Sequence, residues 1–98
     1  MQPQPSFVYI LASRRNGTLY TGVTSNLRQR IYQHQRHLIP GFTDDYDVTM
    51  LVWYQECPDI ESAISIEKKV KNRNRKWKLA LIERENPNWD DLSSPWEA

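Results

Sequence analysis

Five side chains could carry chemistry in this sequence: Tyr9, Tyr20, Arg30, His34 and Glu67, although two tyrosines on a hairpin are by themselves more often packing residues. Arg30 falls on the edge of a helical apolar stripe of Leu27, Ile31 and Leu38. A guanidinium beside a core stripe needs a partner or an open cleft. His34 lies within that stripe, where a lone histidine is more often a hydrogen-bonded core residue than a catalyst. Glu67 belongs to a later helix with the apolar arc Ile60, Ala63, Ile64, Ile66 and Val70. At 100° per residue it sits about 30° from the centre of that arc. An inward carboxylate calls for an ion pair or a metal ion. Arg30 is the obvious ion-pair partner, and pairing and catalysis both fit.

The elements that must position these groups begin with a hairpin. Phe7 to Leu11 and Leu19 to Thr24 are rich in aromatic and β-branched residues, with Asn16-Gly17 between them as a two-residue turn signal. Closing the hairpin there sets Ile10 against Val23, Leu11 against Gly22 and Ser13 against Tyr20. In that register Tyr9, Leu11, Tyr20, Gly22 and Thr24 share one face. A one-residue slip would separate the tyrosines. Ser25 or Asn26 caps the first helix, and Pro40-Gly41 ends that segment. The loop from Gly41 to Asp47 is acidic but lacks a calcium-loop pattern. Val48 to Tyr54 reads as a third strand, apolar enough for a central or well-covered position. Asp59 caps the helix that carries Glu67, and Asn72 to Asn74 breaks it. Lys76 to Glu85 follows as a third helix with Trp77 and Leu81 inward, and Ala80 and Ile82 as further candidates. Trp89, Leu92 and Trp96 are the apolar anchors of the tail.

Ninety-eight residues make one domain with one modest core. We expect a frayed arm over 1–6, a folded domain over 7–92 and a short tail over 93–98. The single Cys57 excludes an internal disulfide and a cysteine-rich zinc site. No apolar run approaches a membrane span, and the start MQPQPSF lacks a signal-peptide core, so a soluble, cytoplasmic protein is expected. The net charge of +1 hides a block structure. Residues 1–36 carry five Arg and no acid, residues 37–66 six acids and no Lys or Arg, and residues 67–78 seven basic residues. Such blocks mark either a polyanion-binding surface or a solvated helix face. The basic candidates for nucleic-acid contact are Arg14, Arg15, Arg28, Lys68, Lys71, Arg73, Arg75 and Lys76. Aromatic residues interleave at Tyr32 and Trp77, without an evident single-strand stacking module.

The segments VYI at 8–10, YTG at 20–22 and LRQR at 27–30, with Glu67 downstream, resemble the GIY-YIG nuclease family. The likeness is to its small single-domain branch and to the N-terminal nuclease domain of excision-repair endonucleases. It covers nearly the whole stretch from Phe7 to Leu92. Val8 stands where the first motif has Gly. The resemblance implies an α+β fold, a small mainly antiparallel three-stranded sheet flanked by helices, with one active site on the sheet face. It implies that Tyr9 and Tyr20 are the motif tyrosines, Gly22 the motif glycine, Arg30 the active-site arginine and Glu67 the metal-binding glutamate. His34 matches a histidine recurring in many members, and Asn86 is the nearest candidate for a late asparagine.

The activity so implied is metal-dependent hydrolysis of DNA phosphodiesters, structure-specific in repair or recombination. Its cofactor would be Mg²⁺ or Mn²⁺, which keeps several waters and needs only one or two protein carboxylates. Its substrate would be branched, nicked or otherwise non-B-form DNA. Arg30 would contact the scissile phosphate. Tyr9 would activate water, with Tyr20 positioning it or sharing the role and His34 as the rival base. Asp44 and Asp45 stand where close relatives commonly carry lysines, and Thr49-Met50 where a basic residue is often seen. These departures imply weaker binding or a different nucleic-acid shape. The alternatives are a nucleic-acid-binding module with little catalysis, or a protein-interaction domain using the acidic middle of the chain.

Overall fold

A computed structural model describes residues 4–96. Residues 1–3 of the expected arm, and 97–98 of the tail, lie outside the described residues. The elements are β1 (Ser6–Ala12), β2 (Leu19–Thr24), α1 (Leu27–Gln35), α2 (Phe42–Asp45), β3 (Met50–Cys57), α3 (Ile60–Lys71), α4 (Arg75–Glu85) and a 3₁₀ turn (Ser94–Trp96). The strands form one antiparallel sheet in the order β2-β1-β3. This is the expected α+β architecture. Among the described residues no helix is long and apolar enough to cross a membrane.

The alternation along β1 divides the core. Val8, Ile10 and Ala12 pack with Ala63 and Val70 of α3, Leu81 and Ile82 of α4, and Trp89. Tyr9 and Leu11 face the other way, onto Leu27 and Ile31 of α1. Between β1 and β3 the pairing skips a residue: Ile10 opposes Trp53 while Leu11 opposes Leu51. Val52 is the extra residue of that bulge, and it joins Trp53 on the α3–α4 side.

The third strand is apolar, but it lies at the edge of the sheet and not in the centre. The tail covers it. Leu92 N–H donates to Leu51 O (2.8 Å), and Asp91 Oδ1 accepts from Leu51 N–H (3.3 Å). These bonds occupy an edge that would otherwise be open to pairing.

The hairpin departs from the expected register by two residues. Tyr9 pairs with Gly22, Ile10 with Thr21 and Leu11 with Tyr20. The tip is longer than a two-residue turn: Ser13 N–H donates to Thr18 O (3.0 Å) and Gly17 N–H to Arg14 O (2.9 Å). Asn16, not Gly17, takes the left-handed conformation, with φ 57°. A two-residue shift preserves facing, so Tyr9 and Tyr20 still share a face.

Three apolar expectations also change. Helix α1 stops at Gln35, because His37 enters the left-handed region (φ 56°) and Leu38 N–H returns to Gln33 O (2.9 Å). Leu38 is therefore exposed and leaves the stripe. Ile60 and Ile64 are exposed on α3, whose buried face is Ala63 and Val70. Trp77 lies outside the core at the start of α4, with Arg73 over its ring at 5.2 Å; Leu81 and Ile82 are the buried residues, and Ala80 is exposed. The caps follow the sequence. Asn26, Asp59 and Asn74 each accept a backbone N–H from the first turn of their helix.

Candidate active site

The site starts from a pairing on the sheet. Tyr9 of β1 sits directly opposite Gly22 of edge strand β2, and its ring leans across that glycine. A Cβ at position 22 would lie 2.5 Å from both Cζ and Oη of Tyr9, and 3.0 Å from Cε2 of Tyr20. The space at Gly22 is therefore filled by the hydroxyl end of Tyr9. The Tyr9 and Tyr20 rings are 6.3 Å apart between centroids.

Helix α1 brings His34 onto the same ring. In the last turn of that helix, the buried imidazole places Nε2 3.0 Å from Tyr9 Oη and Nδ1 3.0 Å from Thr43 Oγ1. Thr43 belongs to the single-turn helix α2 and is itself buried. With the proton on Nδ1, that nitrogen donates to Thr43 and Nε2 accepts from the Tyr9 hydroxyl. The other tautomer reverses both bonds. Tyr9 and His34, rival bases in the sequence reading, thus form one hydrogen-bonded pair.

Electrostatics keeps both groups neutral. Burial pushes the Tyr9 phenol well above its ordinary value; Tyr20 and Glu67 add to the rise and Arg30 opposes it. His34 is pushed down from 6.5 to about 4, first by burial and then by the Arg30 charge. Arg30, one helical turn before His34, is half-buried and makes no ion pair among the described residues. Glu67 arrives from α3, which packs on the opposite face of the sheet. Its charge is nonetheless felt at Tyr9, whose hydroxyl lies over the edge strand. Glu67 pairs with Lys71 one turn on (3.6 Å), not with Arg30.

Among the described residues no group of three His, Cys, Asp or Glu is arranged to hold a metal ion. A zinc-type site is not built here. Glu67 is a single carboxylate with its side chain 14% exposed. That donor set fits a hard cation which keeps most of its waters, as Mg²⁺ and Mn²⁺ do.

The sequence profile of the GIY-YIG catalytic domain matches residues 5–80. The chain belongs to the GIY-YIG nuclease family. It is 30% identical over 83 residues to a UPF0213 protein of Streptococcus sanguinis, covering 85% of this chain and 94% of that one. It is 30% identical over 80 residues to a UPF0213 protein of Aeromonas salmonicida, covering 82% of this chain but only 58% of that one. The solution NMR structure of a UPF0213 protein from Bacillus halodurans superimposes with a TM-score of 0.55. It is 26% identical, and the match covers 92% of this chain and 96% of the other. These likenesses place the chain in the small single-domain GIY-YIG branch.

Around the GIY-YIG motif residues the two basic blocks meet at the hairpin tip. Arg14 and Arg15 are exposed there, and Arg75 Nη2 donates to the carbonyls of Asn16 and Gly17 (2.7 Å each). Lys68, Lys71, Arg73 and Lys76 are exposed around the α3–α4 junction. Arg28 does not join them. It sits at the other end of the strands, in a groove with Phe7 and Glu56, over the Trp96 ring at 5.8 Å. Asn86 is not at the site. It is buried, with Nδ2 donating to Val52 O (3.1 Å) and Asp90 O (2.9 Å) and Oδ1 accepting from Asp90 N–H (3.0 Å). That leaves it a clamp between β3 and the tail. The sequence reading missed Thr43, whose only signal was a threonine beside Gly41-Phe42, nine residues after His34.

Proposed function

We propose that this chain is an endonuclease that hydrolyses DNA phosphodiester bonds, with Glu67 holding Mg²⁺ or Mn²⁺. The substrates to test first are the nicked, flapped and branched structures of repair and recombination. The reading rests on the Tyr9–His34–Thr43 hydrogen-bonded chain buried beside an Arg30 guanidinium without a carboxylate partner. Arg30 receives two non-bridging oxygens of the scissile phosphate in the planar fork of its guanidinium. Thr43 Oγ1 accepts Nδ1–H and holds the imidazole in the tautomer that leaves Nε2 as an acceptor. The attacking water passes a proton to Tyr9 Oη as Tyr9 passes its own to His34 Nε2. The new oxygen–phosphorus bond forms, and the leaving oxygen departs with the electron pair of the broken one and takes a proton from solvent. At neutral pH Tyr9 starts as a phenol and His34 as a neutral imidazole, the states this exchange requires. The cation, when bound, supplies positive charge at the phosphate and the leaving oxygen.

One observation favours a second reading, binding without cleavage: Tyr9 is only 2% exposed. On the cleavage reading Tyr20, the half-buried ring beside it, must yield to admit water. A panel of nicked, flapped, branched, single-stranded and duplex DNA with Mg²⁺ or Mn²⁺ separates the two. Cleavage lost in Glu67→Ala, Tyr9→Phe and His34→Ala is the expected result. Activity unchanged in Glu67→Ala would remove the cation from that residue. Salt-dependent binding with no product from any substrate would establish the second reading.

A further inference from the structure

The chain of aromatic rings does not end at Tyr20. The Phe42 ring lies 6.4 Å from Tyr20, at an interplanar angle of only 27°. Tyr46 lies 4.9 Å beyond Phe42 at 37°. Tyr20 is in turn 5.7 Å from His34, so the ladder begins inside the candidate site. Its outer rungs are open to solvent: Phe42 is 45% exposed and Tyr46 60%. Phe42 on this one-turn helix and Tyr46 at its C-cap thus hold two large rings side by side in water, which adds nothing to the core and is the kind of patch a binding surface uses. Tyr46 then lines an open groove with Arg14 and Arg75 at the hairpin tip. Flat rings thus lead from the reactive centre to two guanidinium groups.

We infer that Tyr20, Phe42 and Tyr46 form a stacking platform for unpaired bases, which makes single-stranded DNA the substrate this site prefers. The inference rests on the nuclease reading above and names its substrate class. Aromatic faces take any base, because every base has a π-face. A duplex keeps its bases stacked inside and has nothing to lay on the rings. The acidic residues of the same segment, Asp44, Asp45 and Asp47, disfavour the duplex further. Duplex DNA carries one charge per ~1.7 Å of axis, and recognising it through the backbone needs many cations. Here stacking replaces most of the phosphate contact, with Arg14 and Arg75 holding the backbone. His37 Nδ1 lies 2.8 Å from Asp44 Oδ1, a hydrogen bond that ties α2 to the end of α1 and keeps the platform in place.

The test uses the Glu67→Ala protein, so that binding is read without cleavage, in the presence of Mg²⁺. The probes are a single-stranded oligonucleotide containing 2-aminopurine, the same strand with abasic sites in place of bases, and its duplex. The expected order of affinity is single strand, then duplex and abasic strand. Phe42→Leu and Tyr46→Leu keep apolar bulk but remove the rings. Each is expected to weaken single-strand binding roughly tenfold and to leave the abasic strand unaffected. The 2-aminopurine fluorescence is expected to be quenched on binding to the parent and not to the double variant. With three phosphate contacts, from Arg14, Arg30 and Arg75, log affinity against log salt should fall with a slope of about −2.1. Equal affinity for the normal and abasic strands overturns the platform, as does tenfold tighter binding of duplex. If the wild type cleaves DNA while Phe42→Leu and Tyr46→Leu change nothing, the platform fails and the nuclease reading stands. If no DNA is bound or cleaved, both fail.

Discussion

Replacing Gly22 by alanine is a small change with a large calculated consequence. The backbone there is ordinary for an L-residue; Gly41 is the glycine with positive φ. Alanine would therefore gain roughly 0.4–1 kcal/mol by restricting the unfolded chain, if there were room. There is not. The new methyl would sit 2.5 Å from Cζ and Oη of Tyr9, where ordinary contact begins at 3.4 Å. Tyr9 must retreat by about 0.9 Å in a fully packed core, and overpacking of this kind costs roughly 1–3 kcal/mol. The hydroxyl then either loses His34 Nε2, at 3.0 Å, or drives into Tyr20. The lost hydrogen bond adds roughly 1 kcal/mol. The net expectation is a loss of about 2 kcal/mol and a melting temperature lower by roughly 10 °C in a domain of this size. Thermal unfolding followed by circular dichroism measures it. In the Tyr9→Phe background one of the two clashing atoms is gone, so the two changes should cost less together than the sum of their separate costs. A Gly22→Ala protein as stable as the parent, but slower on DNA, would refute this reasoning. It would instead make Gly22 a gap left for phosphate or water.

Three other outcomes follow from the same geometry. His34 titrates at about 4 in the fold against 6.5 unfolded, so between those values the unfolded chain binds the extra proton; its contribution to stability should rise from pH 4 to 6.5 and level off above. Urea titrations at each pH should show that slope in the parent and not in His34→Gln; identical slopes would contradict it. Thr43→Val removes the partner of His34 Nδ1 and is expected to lower the rate about tenfold and to change its pH profile, while Thr43→Ser restores both. Asn86→Ala leaves Val52 O and Asp90 N–H without their partner and should cost about 2–4 kcal/mol of stability. At a temperature where the variant is folded, the cleavage rate should be unchanged; a specific loss of rate would return Asn86 to the site.

The elements were legible in the sequence where local physics decides them. Asn26, Asp59 and Asn74 cap their helices because each has a side-chain oxygen in reach of the first-turn N–H groups, a matter of three residues. The shared face of Tyr9 and Tyr20 also survived, because strand facing has a period of two and the register moved by two. The apolar run VTMLVWY, read as central or well covered, proves well covered, at an edge that Asp91 and Leu92 close forty residues later. What failed was set at long range. Trp77 was placed inward by its hydrophobicity, but Arg73 and the orientation of α4 decided otherwise. The aromatic ladder had no sequence signature, since Tyr20 and Phe42 meet only through the packing of α2 beside the hairpin.

The fate of Arg30 and Glu67 carries the most physical weight. From sequence, their mutual ion pair was as good an account as catalysis, and it would have satisfied both charges. The fold separates the helices that bear them by the sheet, and the carboxylate turns to Lys71 on its own helix. Arg30 is left half-buried near a neutral phenol and a neutral imidazole, where its charge adds to the burial that depresses His34. A fold selected for stability alone would place a carboxylate there or remove the charge. On the proposed reading the missing partner is the substrate's phosphate, which arrives from outside. A phosphate in that position would offset the Arg30 charge and lift that part of the His34 depression, while the larger part, due to burial, would remain. Binding the substrate and readying the base would then share one charge.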